Sequence, residues 1–319
     1  MRNCHTSVLM IAFVVAASVA NPRPSSASSD LRVDSREYKV MLEASRFRGS
    51  NPLSVIDVIW NGPIRQLIEG LDGVEPKGDA FELEKDRAVR FWDTGGGNGC
   101  VLNKHGYAFR ERVKVKNGKE VDKKREVTLK FRDQEAERVS VKDMRGVHAD
   151  AKQKFEMDIG SSSDPGSPLR LIYSKSTEQP IGKNKKIDKM SDVLELYPGL
   201  GNGLEEDGAT VDPDQKLKRV SGLTIREHVY GEPAVDLGTG EAVLSLTLWY
   251  DEKQGGLAEP LLAELSFKIE ASDQPPAFST ATLKRAEALF LAMVNLPFTD
   301  LNASTKTSFI YQYRNFCPQ

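Results

Sequence analysis

Apolar and polar residues alternate along several short segments of this chain, with the two-residue period of a β-strand. In the first such segment, Tyr38, Val40 and Leu42 share one face, and Glu37 and Lys39 share the other. The same alternation recurs further along the chain and predicts about eight strands. These strands are expected at 36–42, 88–94, 107–115, 125–132, 152–159, 217–230, 241–251 and 262–270.

Helical periodicity is confined to a few stretches. They are 61–71, 191–197 and a longer segment from Ser279 or Thr280 to residue 295. In the first of them, Asn61 can cap the helix and Pro63 fits its first turn. In the last, apolar residues form a stripe at helical spacing. Few helices among many strands predict an α+β or barrel architecture.

Two further features concern the connections between these elements. Asn117-Gly118 lies between two predicted strands and indicates a hairpin, with a loop longer than two residues. Segment 160–215 is rich in Gly, Pro, Ser and charge, and we expect it to be a loop-bearing insertion apart from its one short helix.

The polar face of nearly every predicted strand carries two or three ionised residues of both signs. These rows are Glu37 and Lys39; Arg110, Arg112 and Lys114; Glu126, Lys130 and Arg132; Lys154, Glu156 and Asp158; Arg226 and His228; and Glu264, Lys268 and Glu270. A solvated sheet face explains any single row. Their repetition favours a closed barrel whose ionised interior is wet, or is occupied by a polyanion with its metal ions.

The N-terminus has the features of a secretory signal. Arg2 precedes an uncharged apolar stretch at 8–20, which is too short to span a bilayer and has the length of a signal-peptide core. We therefore expect a signal peptide at 1–20, with cleavage as late as 27, a linker at 21–31 and a single domain at 32–319. The mature protein is predicted to be exported, periplasmic or secreted, with no membrane attachment after cleavage.

Composition narrows the classes of partner. Lys and Arg total 44 against 46 Asp and Glu, a balance that argues against a nucleic-acid binder. The cysteines of the mature chain are Cys100 and Cys317, which could form a disulfide in an oxidising compartment or remain as two buried thiols. The oligomeric state is left open by the sequence.

Short motifs follow one another in a distinctive order between residues 33 and 270. They are Ser35-Arg36-Glu37-Tyr38-Lys39, Phe91-Trp92-Asp93-Thr94, Arg110-Glu111-Arg112, Thr128-Leu129-Lys130, Lys154-Phe155-Glu156-Met157-Asp158, the single Arg226, the strand-ending Asp251, and Glu264-Leu265-Ser266. This order resembles that of the CYTH superfamily, the triphosphate tunnel metalloenzymes. The resemblance implies an α+β fold: a mostly antiparallel eight-stranded β-barrel (tunnel) with helices packed outside.

The resemblance also implies a ligand and roles for individual residues. A triphosphate or polyphosphate-like anion would lie along the axis with Mg²⁺ or Mn²⁺. The implied catalytic residues are Lys39 and Glu156. The implied phosphate-binding residues are Lys39, Arg110, Arg112, Lys130 and Arg226. We add Arg132, because it lies on the same face of its predicted strand as Lys130. The implied metal ligands are Glu37, Asp158, Asp251 and Glu264.

This chain departs from the family pattern at two positions, since Ser35 and Ser266 stand where glutamates are expected. A hydroxyl is a poor substitute for a carboxylate on a divalent cation. Two hypotheses therefore remain: a metal-dependent hydrolase of triphosphate, polyphosphate or another phosphoanhydride, or a catalytically silent module that binds such an anion.

A third interpretation starts from Asp93-Thr94-Gly95, which is similar to the active-site motif of aspartic proteases. Those enzymes need two such carboxylates that share a proton. The best second copy here is Asp236-Leu237-Gly238, which lacks the hydroxyl residue. The protease interpretation is therefore the weakest of the three.

Overall fold

The computed structural model describes residues 32–49, 51–95, 99–161, 169–254, 259–272 and 277–317. The predicted signal peptide and linker lie outside these residues. The residues from Arg32 onward form one compact unit. Within the described part of the chain, no helix has the length and apolar character needed to cross a membrane.

The strands cover most of the predicted strand positions. In chain order they are β1 (Ser35–Leu42), β2 (Glu75–Lys77), β3 (Glu82–Thr94), β4 (Tyr107–Lys116), β5 (Lys119–Asp133), β6 (Lys152–Ser161), β7 (Leu169–Ile181), β8 (Leu217–Arg219), β9 (Ile225–Gly231), β10 (Ala234–Asp236), β11 (Glu241–Asp251) and β12 (Leu262–Glu270).

The helices are short, with one exception. They are α1 (Pro52–Ile59), α2 (Arg65–Glu69), α3 (Val101–Lys104), α4 (Ala136–Val141), α5 (Met190–Leu196), α6 (Leu200–Glu206), α7 (Thr280–Val294) and α8 (Lys306–Gln312). As predicted, Ser279 caps α7 by accepting a hydrogen bond from the Thr282 backbone N–H at 3.0 Å.

The sheet closes on itself. Its strands run in the order β12-β1-β6-β7-β5-β4-β3-β9-β11, and β11 pairs with β12 again. A barrel with helices outside is therefore confirmed, but the predicted number of eight strands in a mostly antiparallel barrel is wrong. The described residues form nine barrel strands, and β1 and β6 pair in parallel. The additional strand is β7, which lies in the segment expected to be a loop-bearing insertion.

Two connections also differ from expectation. Asn117 and Gly118 form a two-residue turn, with φ values of 51° and 73°. Both values are positive, as a type I′ hairpin turn requires, so the expected longer loop is absent between β4 and β5. The strand predicted at 217–230 is interrupted, because a 3₁₀ turn at Val220–Gly222 separates β8 from β9.

The first helical region begins earlier than predicted, at Pro52 instead of residue 61. It continues from α1 into α2 through a π-helical turn at Trp60–Ile64, which contains Pro63. Proline lacks the N–H that an α-helix interior needs, and a wider turn is one way to accommodate it.

The apolar face of the barrel wall points outward, beneath the helices. On β1, Tyr38 stacks on Phe267 with ring centroids 4.6 Å apart, and Phe290 of α7 covers the pair. A second apolar cluster packs beneath α5 and α6 against β4 and β5. Since side chains alternate along a strand, the intervening polar residues must point into the barrel.

One end of the interior is apolar and closed. Ile310 and Tyr311 of α8 pack among apolar side chains that line this end of the barrel, namely Met41, Val89, Phe91, Ala108, Ile225, Trp249 and Leu262. Cys100 and Cys317 form a disulfide that ties the segment after α8 to the residue preceding α3. The cysteines are therefore paired and are not two free thiols.

Candidate anion-binding tunnel

The strand registers place most of the predicted site residues on the inside of the barrel. Lys39 pairs with Ser266 across β1 and β12, and Glu37 pairs with Lys268. On the other side of β1, Glu37 also pairs with Asp158. The predicted residues that face inward are Glu37, Lys39, Arg110, Arg112, Lys130, Arg132, Glu156, Asp158 and Glu264.

The first group of interior residues is a lysine–carboxylate cluster, composed of Glu37, Lys39, Lys130, Glu156, Asp158 and Lys268. The Lys39 Nζ lies 2.9 Å from Glu37 Oε2 and 2.7 Å from Asp158 Oδ1. The Lys130 Nζ lies 3.2 Å from Asp158 Oδ2, so this carboxylate bridges two lysines. The cluster thus brings opposite charges together from four strands, namely β12, β1, β6 and β5, of which β5 is separated from β6 by β7.

Glu156 is held at the edge of this cluster. Its Oε1 accepts hydrogen bonds from Ser35 Oγ at 3.1 Å and from Lys268 Nζ at 3.0 Å. Its Oε2 lies 3.8 Å from Lys130 Nζ. Ser35, which departs from the family motif, therefore uses its hydroxyl to donate to Glu156.

The pKa values in the cluster follow from burial and these contacts. Burial opposes ionisation of Glu156, but Lys130 and Lys268 lower its pKa to about 2. Burial likewise opposes the charge of Lys39, yet Asp158 and Glu37 raise its pKa above the ordinary value. Burial and the neighbouring cations Arg132 and Lys39 lower the pKa of Lys130 to about 8, against the attraction of Asp158.

The second group is an arginine cluster, composed of Arg87, Arg110 and Arg112, with Glu227 as its main counter-charge. Arg87 Nη2 lies 2.5 Å from Glu227 Oε1, and Arg112 Nε lies 3.8 Å from the same oxygen. The other oxygen of Glu227 accepts a hydrogen bond from Trp249 Nε1 at 2.9 Å. Arg112 also contacts Glu178, at 3.3 Å.

The three arginines of the cluster are compensated unevenly, since Arg87 and Arg112 contact Glu227 and Arg112 also contacts Glu178. Arg110 forms no ion pair within 4.0 Å among the described residues, and the Nε atoms of all three arginines are buried without a hydrogen-bond partner there. Burial, Arg112 and Arg87 lower the pKa of the Arg110 guanidinium well below its usual value. Burial alone would raise the pKa of Glu227, but Arg87 and Arg112 hold it well below its usual range.

The interior is accessible to water although it is enclosed by the wall. The side chain of Glu37 is 26% exposed, that of Lys39 18% and that of Arg112 16%. Partial exposure of charged groups within a closed sheet is the property expected of a solvated channel, since a dry interior would disfavour their ionised forms.

Arg226, predicted to bind phosphate, points away from the tunnel, and that assignment is wrong. Its strand neighbour Glu227 faces inward, so Arg226 lies on the outer face. There it pairs with Asp86, which also lies 3.5 Å from His228. His228 is consequently on the outer face as well.

Two predicted metal ligands are separate from the lysine–carboxylate cluster. Glu264 faces inward, and its Oε1 lies 2.7 Å from the Nζ of Lys306, at the start of α8. Asp251 ends β11, four residues beyond the Thr247 that pairs with Glu264. At roughly 3.3 Å per residue, this separation is about 13 Å along the strand.

The interior residues that were not among the predicted site residues include Arg87, Glu227, Lys268 and Lys306. The first three lie on the inward-facing positions of β3, β9 and β12. Correct strand bounds and the alternation of side chains would therefore have placed them in the interior. Lys306 follows the last predicted element, and its contact with Glu264 joins parts of the chain that only the folded structure brings together. Arg132 Nη1 similarly donates to Thr307 Oγ1 at 2.7 Å.

The interior carboxylates do not fit a divalent metal site. Such cations require several carboxylate or carbonyl oxygens that converge on one point. The described residues contain no group of three or more His, Cys, Asp or Glu side chains that could hold a metal. Moreover Glu156, Asp158 and Glu264 each have a lysine ammonium within 3.0 Å.

The Asp-Thr-Gly motif has a structural role. Asp93 accepts hydrogen bonds from the backbone N–H groups of Thr94, Leu102 and Asn103 at 2.7 to 3.0 Å, and so fixes the start of α3. Burial raises its pKa to about 6, against these hydrogen bonds. Asp236 instead pairs with Lys77 at 2.9 Å, so the two aspartates do not form a protease dyad.

A pocket of about 330 Å³ lies on the outside of the barrel, lined in part by Arg90, Trp92, Arg125 and Arg219. Its cations are largely satisfied: Arg125 Nη2 lies 2.7 Å from Glu111, and Arg90 pairs with Glu120. The arginine cluster inside the barrel is therefore the better candidate for an anion site.

No family model and no curated protein matches this sequence. Among solved structures, HpAC1 from Hippeastrum, described as a candidate adenylyl cyclase with a dominant triphosphatase activity, is similar at 14% identity. The match has a TM-score of 0.41 and covers 88% of this chain and 94% of that one. The PH1819 protein from Pyrococcus horikoshii OT3 is similar at 14% identity and a TM-score of 0.26, over 84% and 94% of the two chains.

These likenesses are distant, so the tunnel assignment rests on this chain's own barrel. The wall is closed, its apolar face lies under helices, and its ionised rows point inward. The chain is therefore a closed barrel with an ionised interior.

Proposed function

We propose that this protein binds a linear polyphosphate-like anion, such as inorganic triphosphate, inside its barrel. The observation that carries the proposal is the arginine cluster, in which Arg110 forms no ion pair and the three Nε atoms have no hydrogen-bond partner among the described residues. Guanidinium groups present planar, paired donors that match phosphate oxygens. An anion would supply both the missing hydrogen bonds and the missing negative charge.

The lysine–carboxylate cluster extends this site along the tunnel. Arg110 on β4 pairs with Thr128 on β5, and Lys130 is the next inward-facing residue of β5 after Thr128. A ligand that reached both clusters would need several phosphates in a row. We therefore expect affinity to rise with the number of linked phosphates.

Isothermal titration of the mature protein with orthophosphate, pyrophosphate and tripolyphosphate tests this proposal. The three ligands share one chemistry and differ in length, so each is a control for the others. We expect affinity to increase at least about tenfold from the shortest to the longest, which corresponds to one or two additional charge-assisted hydrogen bonds. Equal, weak affinities for all three would contradict the proposal.

A second candidate function is hydrolysis of the bound anion. It is favoured by the proximity of Glu37 and Asp158, which share the ammonium of Lys39, and of Glu156 in the same cluster. The test is phosphate release from tripolyphosphate, measured both with Mg²⁺ or Mn²⁺ and in EDTA, because the interior carboxylates do not form a metal site among the described residues. Release that is abolished in Glu156→Gln would support hydrolysis; tight binding without release would leave the binding function alone.

We further propose that the protein acts outside the cytoplasm, periplasmic or secreted. The N-terminal signal pattern supports this location, and so does the disulfide between Cys100 and Cys317, because such bonds persist in oxidising compartments. Fractionation of cells that produce the full-length chain, followed by mass determination of its N-terminus, checks both export and the cleavage position.

A further inference from the structure

Three carboxylates of the tunnel, Asp158, Glu156 and Glu264, each have a lysine ammonium within 3.0 Å. Lys39 Nζ lies 2.7 Å from Asp158, and Lys268 Nζ lies 3.0 Å from Glu156. The third carboxylate, Glu264, has its lysine on a different element, because the Lys306 Nζ at the start of α8 lies 2.7 Å away.

These contacts leave little capacity for a divalent cation. A hard cation needs carboxylate lone pairs that are free to converge on it. In Glu156, one oxygen already accepts from both Ser35 and Lys268, at 3.1 and 3.0 Å. Ser266 has a neutral hydroxyl where the family pattern has a carboxylate, so the interior also has fewer negative charges to hold the metal.

The same lysines supply positive charge to the tunnel directly. An ammonium carries one charge and three donors, and phosphate oxygens accept from it readily. Glu264 is only 2% exposed, so an unpaired carboxylate there would carry a large desolvation cost; the ion pair with Lys306 offsets part of it, although Glu264 Oε1 has no hydrogen-bond partner among the described residues. The lysines therefore neutralise the carboxylates and add donors for an anion, both of which are roles that a metal would otherwise have.

We infer that the ammonium groups of Lys268 and Lys306 replace the divalent cation of the tunnel, so that the protein binds its polyphosphate-like anion without a metal. This inference rests on the proposed function for the identity of the ligand. Its central statement, that lysines occupy the metal positions, concerns the protein alone and can be tested without the anion.

The first experiment measures metal binding to the anion-free protein. Mn²⁺ is titrated into the mature protein and its free fraction is followed by electron paramagnetic resonance. We expect no stoichiometric site in the native protein, and a gain of at least tenfold in Mn²⁺ affinity in Lys268→Met/Lys306→Met. Lys284→Met, which changes an exposed lysine of α7, is the matched control and should behave as the native protein does.

A stoichiometric Mn²⁺ site in the native protein would overturn the inference. The native measurement decides this point even where the double variant fails to fold, because it needs no substitution. Single variants, each checked by circular dichroism, provide the gain-of-binding measurement at one carboxylate at a time.

The second experiment measures tripolyphosphate binding in excess chelator. We expect the anion to bind with unchanged stoichiometry when EDTA removes all divalent cations. Binding that occurs only with Mg²⁺ or Mn²⁺ would overturn the inference while leaving the proposed function intact. Absence of binding under both conditions would contradict the proposed function, and the Mn²⁺ titration would still decide the inference about the lysines.

Discussion

At the scale of single residues, the charge of Arg110 is the least compensated in the tunnel. Its neighbours Arg87 and Arg112 share Glu227, whereas Arg110 forms no ion pair in the described ranges. A guanidinium in this position destabilises the free protein, because desolvation and like charges both oppose it. The cost is offset when an anion binds, so stability and affinity should respond to its removal in opposite directions.

The pair Arg110→Gln and Arg226→Gln tests this argument, since the two arginines lie on opposite faces of the wall. We expect Arg110→Gln to weaken tripolyphosphate binding about tenfold or more, as loss of a charge-assisted hydrogen bond does, and to leave the free energy of unfolding equal or higher. Arg226→Gln should leave affinity unchanged and lower stability slightly, because Asp86 loses its partner. Equal effects of both substitutions on affinity would contradict the inward assignment of Arg110.

Lys130 makes affinity depend on pH. Because its pKa is lowered to about 8, the free protein loses this positive charge as pH rises from 7 to 9. We expect tripolyphosphate affinity to fall several-fold over this range, up to about tenfold. Lys130→Gln, titrated in parallel, is the control for the ligand's own protonation and should show a smaller decrease.

The same lowered pKa fixes the sign of a stability change. The folded protein releases the Lys130 proton near pH 8 and the unfolded chain near the ordinary value of 10.5. Between these values the unfolded chain binds more protons, so the contribution of Lys130 to stability rises with pH. Urea unfolding of the native protein and of Lys130→Gln should therefore diverge between pH 8 and 10.5; parallel curves would show that burial does not perturb this lysine.

At the scale of elements, the alternation of apolar and polar residues predicts those strands whose outer face is apolar. It fails for β7 because the outer face of that strand is satisfied by hydrogen bonds. Gln179 donates to the Leu196 carbonyl at 2.8 Å and accepts from the His148 N–H at 2.9 Å. The Tyr197 hydroxyl lies 3.0 Å from the Thr177 carbonyl. Polar residues on the outer face remove the alternation of apolar and polar positions, so the sequence of this strand resembles that of a loop.

The wrong facing of Arg226 has a different cause. Both faces of β9 mix apolar and charged residues, because Ile225 and Val229 flank Glu227 on the inner face and Tyr230 lies with Arg226 on the outer face. The break at Val220–Gly222, where Ser221 has a φ of 55°, also separates β9 from the preceding strand. Without a dominant apolar face, the sequence cannot determine which side of this strand meets the tunnel.

The C-terminal segment is the element most dependent on a covalent bond. Helix α8 has seven residues, which is too short for independent stability, and the disulfide closes a separation of 217 residues. We expect Cys100→Ser/Cys317→Ser to lower the free energy of unfolding by about 2–5 kcal/mol. Chemical unfolding with and without a reducing agent measures the change, and the double variant should be insensitive to the reductant.

That segment also delivers Lys306 and Thr307 to the tunnel. Loss of the disulfide should therefore weaken anion binding as well as stability, at temperatures where the protein remains folded. Unchanged affinity in the folded double variant would show that packing of Ile310 and Tyr311 is sufficient to hold α8 in place.

At the scale of the whole molecule, closure of the sheet turns ordinary strands into a binding site. Each ionised row, taken alone, is compatible with a flat sheet in contact with solvent. Closure requires the pairing of β11 with β12 and the parallel pairing of β1 with β6, and neither pairing has a local signature in the sequence. The order of the motifs suggests a tunnel by resemblance. The number of barrel strands, and the contacts between lysines and interior carboxylates, could be found only from the folded structure.

Because the interior charges come from strands all around the barrel, an anion that bridges them should stabilise the entire fold. At a ligand concentration one hundred times the Kd, binding to the folded state alone contributes about 2.7 kcal/mol. For a protein of this size we expect the melting temperature to rise by about 5 °C. Differential scanning calorimetry with tripolyphosphate in EDTA measures the shift without turnover.

Arg110→Gln at the same ligand concentration should show a smaller shift in melting temperature. Arg226→Gln should retain the full shift, since an outward arginine does not contact the anion. A rise of the same size in all three proteins would indicate a general effect of salt on the surface and would contradict a specific site in the tunnel.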